Sequence, residues 1–287
     1  MRGNRPSWRW IVDGRAIIAV VLVLSSSDAA ADGMRCPPDA VRVGPVCVDK
    51  YEASVWLVPP SIPRLVDRIR RGRADLEDLA AGGAVQAGAI PIDGCNGLEY
   101  GPDFPPSGNW TAPVYAASIA GAPPSTCITW FQAEQACRLS GKRLLSNAEW
   151  QAAAAGTPDP GANDDQSTTC ATSSAFAVPT GTRSRCVSVW GAHDMAGNAW
   201  EWVAEWINPA TSCTFWDAAH GGDLSCVAVG APVALVPREL VAFDPNLPGA
   251  IIRGGNYATG ERNGIYAFFS GVNPHNISRS TGFRCAR

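Results

Sequence analysis

Asp194-Met195-Ala196-Gly197-Asn198-Ala199-Trp200-Glu201-Trp202-Val203-Ala204-Glu205-Trp206 packs a Gly-Asn turn, the carboxylates of Asp194 and Glu201 and three tryptophans into thirteen residues. Two readings of this stretch follow from its chemistry. Calcium takes six to eight hard oxygens from carboxylates and inward-facing carbonyls, and a Gly-Asn turn can aim carbonyls inward between two acidic residues. The other reading has Asp194 and Glu201 capping turns while Trp200, Trp202 and Trp206 fill a core. Two shorter stretches further on have a similar density of special residues: Ile252-Arg253-Gly254-Gly255-Asn256-Tyr257 and Gly282-Phe283-Arg284-Cys285.

Outward from that centre, the 287-residue chain opens with Arg2, Arg5, Arg9 and Arg15, an apolar run from Ala16 to Leu24, and small residues up to Ala31. This pattern predicts a secretory signal peptide over residues 1–31 and an exported protein, periplasmic or extracellular. The run is too short for a helix across a bilayer core of about 30 Å, and no later segment approaches about 20 consecutive apolar residues. No membrane span is expected after cleavage. Loss of residues 1–31 would remove four arginines and two aspartates, taking the net charge from −3 to −5. That balance argues against a nucleic-acid partner. All ten cysteines lie after residue 31, and an even count in an exported chain predicts disulfides. The remaining residues, 32–287, suit a single domain.

Val41, Val43, Val46 and Val48 flank Gly44-Pro45 as a hairpin, whose arms Cys36 and Cys47 could staple. Residues 57–94 read as an insertion with short helices over 64–71 and 74–81, its apolar stripe formed by Leu65, Val66, Ile69, Leu76 and Leu79. Two helix starts are explicit. Thr129 with Gln132, and Ser146 with Glu149, each match the reciprocal capping box, predicting helices over about 129–140 and 146–155 that stop at Gly141 and Gly156. From Thr157 onward the chain is rich in Gly, Pro, Asn and Ser, with short apolar runs at 187–190, 231–236, 250–252 and 265–269. Little regular structure is expected there.

The ordered set Thr129–Cys137, Gly141–Trp150, Asp194–Trp206, Arg253–Gly255 and Gly282–Arg284 resembles the sulfatase-modifying-factor family, whose founding member is the formylglycine-generating enzyme. The resemblance implies an α+β fold, the family's variant of the C-type-lectin-like fold, with two helices on small twisted sheets, little regular structure and disulfide staples. It also implies a disulfide between Cys137 on the first helix and Cys285 on the last strand. Cys170 with Cys186 and Cys213 with Cys226 are then local pairs, leaving Cys95 with Cys127. Carried over from the family, a calcium site would use the side chains of Asp194 and Glu201 and the carbonyls of Gly197 and Ala199.

The resemblance also has a gap. Formylglycine-generating enzymes hold copper with two cysteines shortly after the Arg-Gly-Gly motif, and the matching positions are Thr259 and Gly264. Neither offers the soft thiolate a copper(I) site needs, so copper is not expected. Phe269 stands where the family places a substrate-contacting arginine. The three histidines, His193, His220 and His275, are scattered and suggest no zinc or iron site. Among 256–281, Asn256, Tyr257, Arg262, Asn263, Tyr266, Phe269 and His275 form a polar and aromatic mixture suited to a recognition surface for a peptide, protein or glycan. Ordinary loop and core is the alternative. The expected function is a calcium-stabilised binding module without copper-oxidase activity, against a formylglycine-generating or other tailoring oxidoreductase acting on a peptide or small molecule.

Overall fold

In the computed structural model, the described residues are 35–89, 94–208, 212–228 and 247–287. The expected signal peptide and the apolar run at 231–236 lie outside them.

The chain starts with the hairpin of β1 (Ala40–Val43) and β2 (Val46–Asp49), paired Val43 to Val46 around Gly44-Pro45. Next come β3 (Ala53–Leu57), α1 (Pro63–Arg70), α2 (Leu76–Ala81), β4 (Val85–Ala87) and β5 (Val114–Ser118), in which β3 is the centre of a three-stranded sheet. The expected insertion is therefore structurally integrated. Its strand β4 pairs with β3, and Leu65, Ile69 and Leu79 share an apolar cluster with Trp56, Ala117 and Ile119. Periodicity across 57–94 exposed the helices, but not a three-residue strand that exists only through its partner.

Both capping boxes are present. Thr129 and Ser146 each accept a hydrogen bond from the backbone N–H three residues on, while Gln132 and Glu149 reach back to the cap N–H. They start α3 (Trp130–Leu139) and α4 (Asn147–Ala153), which flank the two-residue strand β6 (Arg143–Leu144). The caps satisfy helix-end donors that would otherwise be unpaired, each typically worth about 1 kcal/mol.

Residues 157–199 hold no helix or strand, as expected. Beyond Trp200 the expectation of little regular structure is wrong. Strands β7 (Trp200–Ile207), β8 (Ser212–Phe215), β9 (Leu224–Ala228), β10 (Gly249–Arg253), β11 (Phe268–Val272) and β12 (Thr281–Phe283) form a six-stranded sheet in the order β12-β7-β10-β11-β9-β8. Several of these strands are buried on both faces, so they lack the alternation that marks a half-exposed strand. The last strand, β13 (Cys285–Ala286), leaves this sheet and joins a second one, β1-β2-β13-β6.

Five disulfides link Cys36–Cys47, Cys95–Cys127, Cys137–Cys285, Cys170–Cys186 and Cys213–Cys226. Cys137–Cys285 ties α3 to the chain terminus across 148 residues of sequence. Among the described residues, no helix is long and apolar enough to cross a membrane.

Candidate functional site

The three dense sequence blocks become neighbours in the sheet. Strand β7 pairs in parallel with β12, aligning Glu201 with Gly282, and antiparallel with β10, aligning Glu201 with Arg253. Trp200 and Trp202 are buried on this sheet, and Trp202 donates its indole N–H to the Ile128 carbonyl at 3.0 Å. Trp206 behaves differently. It is 41% exposed and stacks edge-on with Trp130 and Phe131.

Glu201 and Arg284 form a fully buried ion pair. The guanidinium donates to Glu201 from Nε at 2.7 and 3.0 Å and from Nη2 at 2.6 Å, and the Trp150 indole N–H adds a bond at 2.7 Å. The other Arg284 donors reach the carbonyls of Asp49, Lys50 and His193. Burial works against the Arg284 charge, but Glu201, Glu52 and Asp194 outweigh it and hold the pKa above its ordinary value. Glu52, which sequence reading missed, is buried beside the Gly-Asn turn and accepts from the Asn198 side chain and the Ala199 N–H. Burial raises it well above a normal carboxylate, and the charges of Asp194 and Glu201 push in the same direction. Burial likewise pushes Asp194 up to about 6.

Of the four expected calcium ligands, the two acidic side chains are already engaged within the protein. Both Glu201 oxygens are occupied by Arg284 and Trp150, and Asp194 Oδ2 accepts from Thr180 and the Gly181 N–H. Asp194 Oδ1 is buried without a partner. Gly197 sits at φ +74°, where a Cβ would meet the Ala171 carbonyl at 2.3 Å, so the turn requires glycine for its close approach. One open carboxylate oxygen beside a buried guanidinium does not meet the needs of a dication that takes six to eight oxygens. Among the described residues, the one trio of possible ligand side chains with atoms within 4.8 Å is Cys95, Glu99 and Cys127, and its two sulfurs are joined in a disulfide.

The expected ligand face also divides. Asn256, Tyr257, Asn263 and Phe269 are buried, so the core alternative holds for them. Phe269 packs against Trp200, and Asn263 bonds the carbonyls of Thr172 and Gly260. A strand core and a tight loop need these polar and aromatic groups internally. Arg262 and Tyr266 are half-buried and His275 is exposed.

A different cluster surrounds Tyr266. Trp216, His220 and Tyr266 stack with ring centroids 5.0 to 6.3 Å apart, and Trp216 is 45% exposed. The His220 ring bonds Asp217 at 2.6 Å, and the Trp216 indole N–H donates to the Tyr266 carbonyl at 3.2 Å. Beside the cluster lies a polar cavity of about 410 Å³ lined by Asp159, Asn163, Gly221, Gly222 and Glu261. Asp223, which packs close to Gly221 and Gly264, is pushed up to about 7 by burial and by Asp159. Arg253 is buried nearby without a carboxylate bond. It donates to Asn147, Gln151 and the Ile265 carbonyl, lies over Trp150, and is lowered to about 10 by burial. The copper-equivalent positions belong to this region. The Thr259 hydroxyl donates to Asn263, and Gly264 abuts Asp159 and Asp223.

The sequence pattern of the sulfatase-modifying factor enzyme 1-like domain matches residues 107–287, more than half of the chain. The chain belongs to that family. It is 30% identical over 169 residues to serine/threonine-protein kinase Pkn1 of Chlamydia trachomatis serovar L2, a match covering 57% of this chain and 24% of that protein. The chain thus spans about a quarter of this curated relative. Among solved structures it is similar to the Major Tropism Determinant I1 variant, with TM-score 0.42 and 18% identity, covering 84% of this chain and 50% of that one. PvdO from Pseudomonas aeruginosa gives TM-score 0.36 and 17% identity, covering 84% of this chain and 80% of that one.

Proposed function

We propose that this sulfatase-modifying-factor domain is an exported binding module without copper-oxidase activity, and that its ligand face is the Trp216–His220–Tyr266 cluster at the rim of the Asp159 cavity. The observation that carries this reading is the exposed aromatic stack of Trp216, His220 and Tyr266 beside a polar hollow whose Asp159 abuts Gly264, one of the two copper-equivalent positions. All ten cysteines are consumed in disulfides, and Thr259 and Gly264 present a hydroxyl and no side chain. Rigid aromatic rings next to adaptable polar groups give large contact area at low entropic cost, which suits a peptide, protein or glycan ligand. Export is supported by the N-terminal pattern and by five disulfides, which persist in oxidising compartments. The stability of the 194–206 segment is assigned to the Glu201–Arg284 pair and not to calcium.

The test is a screen of the purified domain against immobilised glycans and peptides, repeated with Trp216→Ala and Tyr266→Ala. The reading predicts ligands whose binding is lost in both variants. Ligands whose binding is indifferent to both substitutions would overturn the assignment of the face.

A further inference from the structure

The chain contains two Asn-Gly pairs, Asn96-Gly97 and Asn263-Gly264. An asparagine side chain followed by glycine is open to attack by the next backbone nitrogen, because glycine puts no Cβ in the way of the ring that forms. What decides the outcome is how the reacting groups are held: the amide carbon, its departing nitrogen and the glycine N–H.

Asn263 is closed to this attack. It is fully buried, its Nδ2 donates to the carbonyls of Thr172 and Gly260 at 3.1 Å each, and its Oδ1 accepts from the Thr259 hydroxyl. The Gly264 N–H donates to the Gly254 carbonyl at 3.2 Å, so nucleophile and leaving group are both tied. Asn96 has the opposite arrangement. Asn96, Gly97 and Leu98 are exposed, and Gly97 sits at φ +81° with no atom within 4 Å of where a Cβ would stand. Among the described residues, neither the Gly97 N–H nor the Asn96 Nδ2 has a hydrogen-bond acceptor. The turn nevertheless orders the carbon to be attacked. The Leu98 N–H donates to Asn96 Oδ1 at 2.9 Å, and Glu99 Oε1 accepts from the Asn96 N–H at 2.5 Å. The Leu98 bond falls on the oxygen that becomes negative as the amide carbon is attacked, where a fixed donor stabilises the transition state.

We infer that Asn96-Gly97 is a self-modification site, at which the folded chain converts its own asparagine to aspartate and isoaspartate. The Gly97 nitrogen bonds to Asn96 Cγ and the Cγ–Nδ2 bond breaks. The departing nitrogen takes up the Gly97 proton and leaves as ammonia, and water then opens the cyclic imide at either carbonyl. No oxidant, metal or second protein is required. The product places a new carboxylate close to Glu99, in a turn anchored on one side by the Cys95–Cys127 disulfide and on the other by buried Tyr100, whose hydroxyl donates to the Thr126 carbonyl at 2.8 Å. The site stands independently of the ligand proposed for the aromatic face.

The test is incubation of the disulfide-bonded chain at mildly alkaline pH, followed by digestion and tandem mass spectrometry that locates the mass gain of an amide-to-acid change. Position 96 should convert at least roughly tenfold faster than position 263, whose hydrogen bonds have to break first. In urea with the disulfides reduced, the two positions should convert at similar rates, and position 96 no faster than in the folded chain. Asn96→Gln, whose longer side chain has to close a larger ring, should stay unchanged under the folded conditions. Conversion at position 96 only after unfolding, or in the folded chain no faster than at position 263, would overturn the site. Equal conversion in Asn96→Gln would overturn the cyclisation itself.

Discussion

Replacing Glu201 by Gln tests whether this residue of the tryptophan-rich motif belongs to an ion pair or to a cation shell. The amide keeps the size of the side chain and an oxygen for the Trp150 indole, but removes the charge that Arg284 contacts at 2.6 to 3.0 Å. Breaking one side of a buried pair costs about 3–5 kcal/mol, because the other charge is left without compensation. Glu52 and Asp194 already act on Arg284, and losing Glu201 frees them to ionise more readily, so the lower end, about 3 kcal/mol, applies. For a chain of this size that corresponds to a fall in Tm of roughly 6–12 °C. The assay is calorimetric melting near neutral pH, with calcium and with a chelator. The fall should be the same in both. A fall that appears only with calcium present would refute the ion-pair reasoning and return Glu201 to a cation site. Arg284→Met supplies the complement: it leaves three buried carboxylates without their cation, so its loss should be smaller at acidic pH, where they protonate.

Three further outcomes are expected. Glu52 and Asp194 have folded pKa values above their ordinary ones, as do Asp49, at about 6, and Asp223, at about 7, so between about pH 4 and 7 the folded state holds more protons at these groups than the unfolded chain. Stability should therefore decline as pH rises from about 5 to 7, opposed there by His193, whose pKa burial lowers, while nearer pH 4 the carboxylates held below their ordinary values, such as Asp39, Glu149 and Asp164, act in the other direction; a melting temperature that climbs steadily from pH 5 to 7 would contradict the burial of the raised carboxylates. Replacing Cys137 and Cys285 together by Ala should lower unfolding free energy in urea by about 4–5 kcal/mol, the loop-entropy value for so long a closure. Ser146→Ala should cost about 1 kcal/mol through loss of the α4 cap, and Ser146→Asp, which restores an acceptor, should recover most of it.

The legible parts of this fold were those fixed by local chemistry. The capping boxes at Thr129 and Ser146 announced their helices because the cap is a four-residue signal, and Gly44-Pro45 announced its hairpin for the same reason. The dense blocks around Trp200, Arg253 and Arg284 revealed the family, and the sheet explains why they travel together: they are adjacent strands or strand ends meeting at one buried pair. Strands β9 to β12 escaped notice because a strand buried on both faces shows no alternation, and β4 because three residues carry no period. Burial of Tyr257 and Phe269 was equally unreadable, since a loop aromatic looks the same whether it meets a ligand or a core. Glu52, Lys142 and Asp223 left no signal at all. Lys142 bridges Asp39 and Asp49 at 2.8 Å from opposite parts of the chain, and Asp223 meets Asp159 only after folding.

The most direct test of the proposed function is mass spectrometry of a cysteine-containing peptide incubated aerobically with the copper(I)-treated, fully disulfide-bonded chain. No conversion of the peptide cysteine to an aldehyde is predicted beyond that in a protein-free copper control, since no thiolate stands at position 259 or 264. Conversion of the cysteine to an aldehyde would contradict the binding-module account and require a copper site built from other donors.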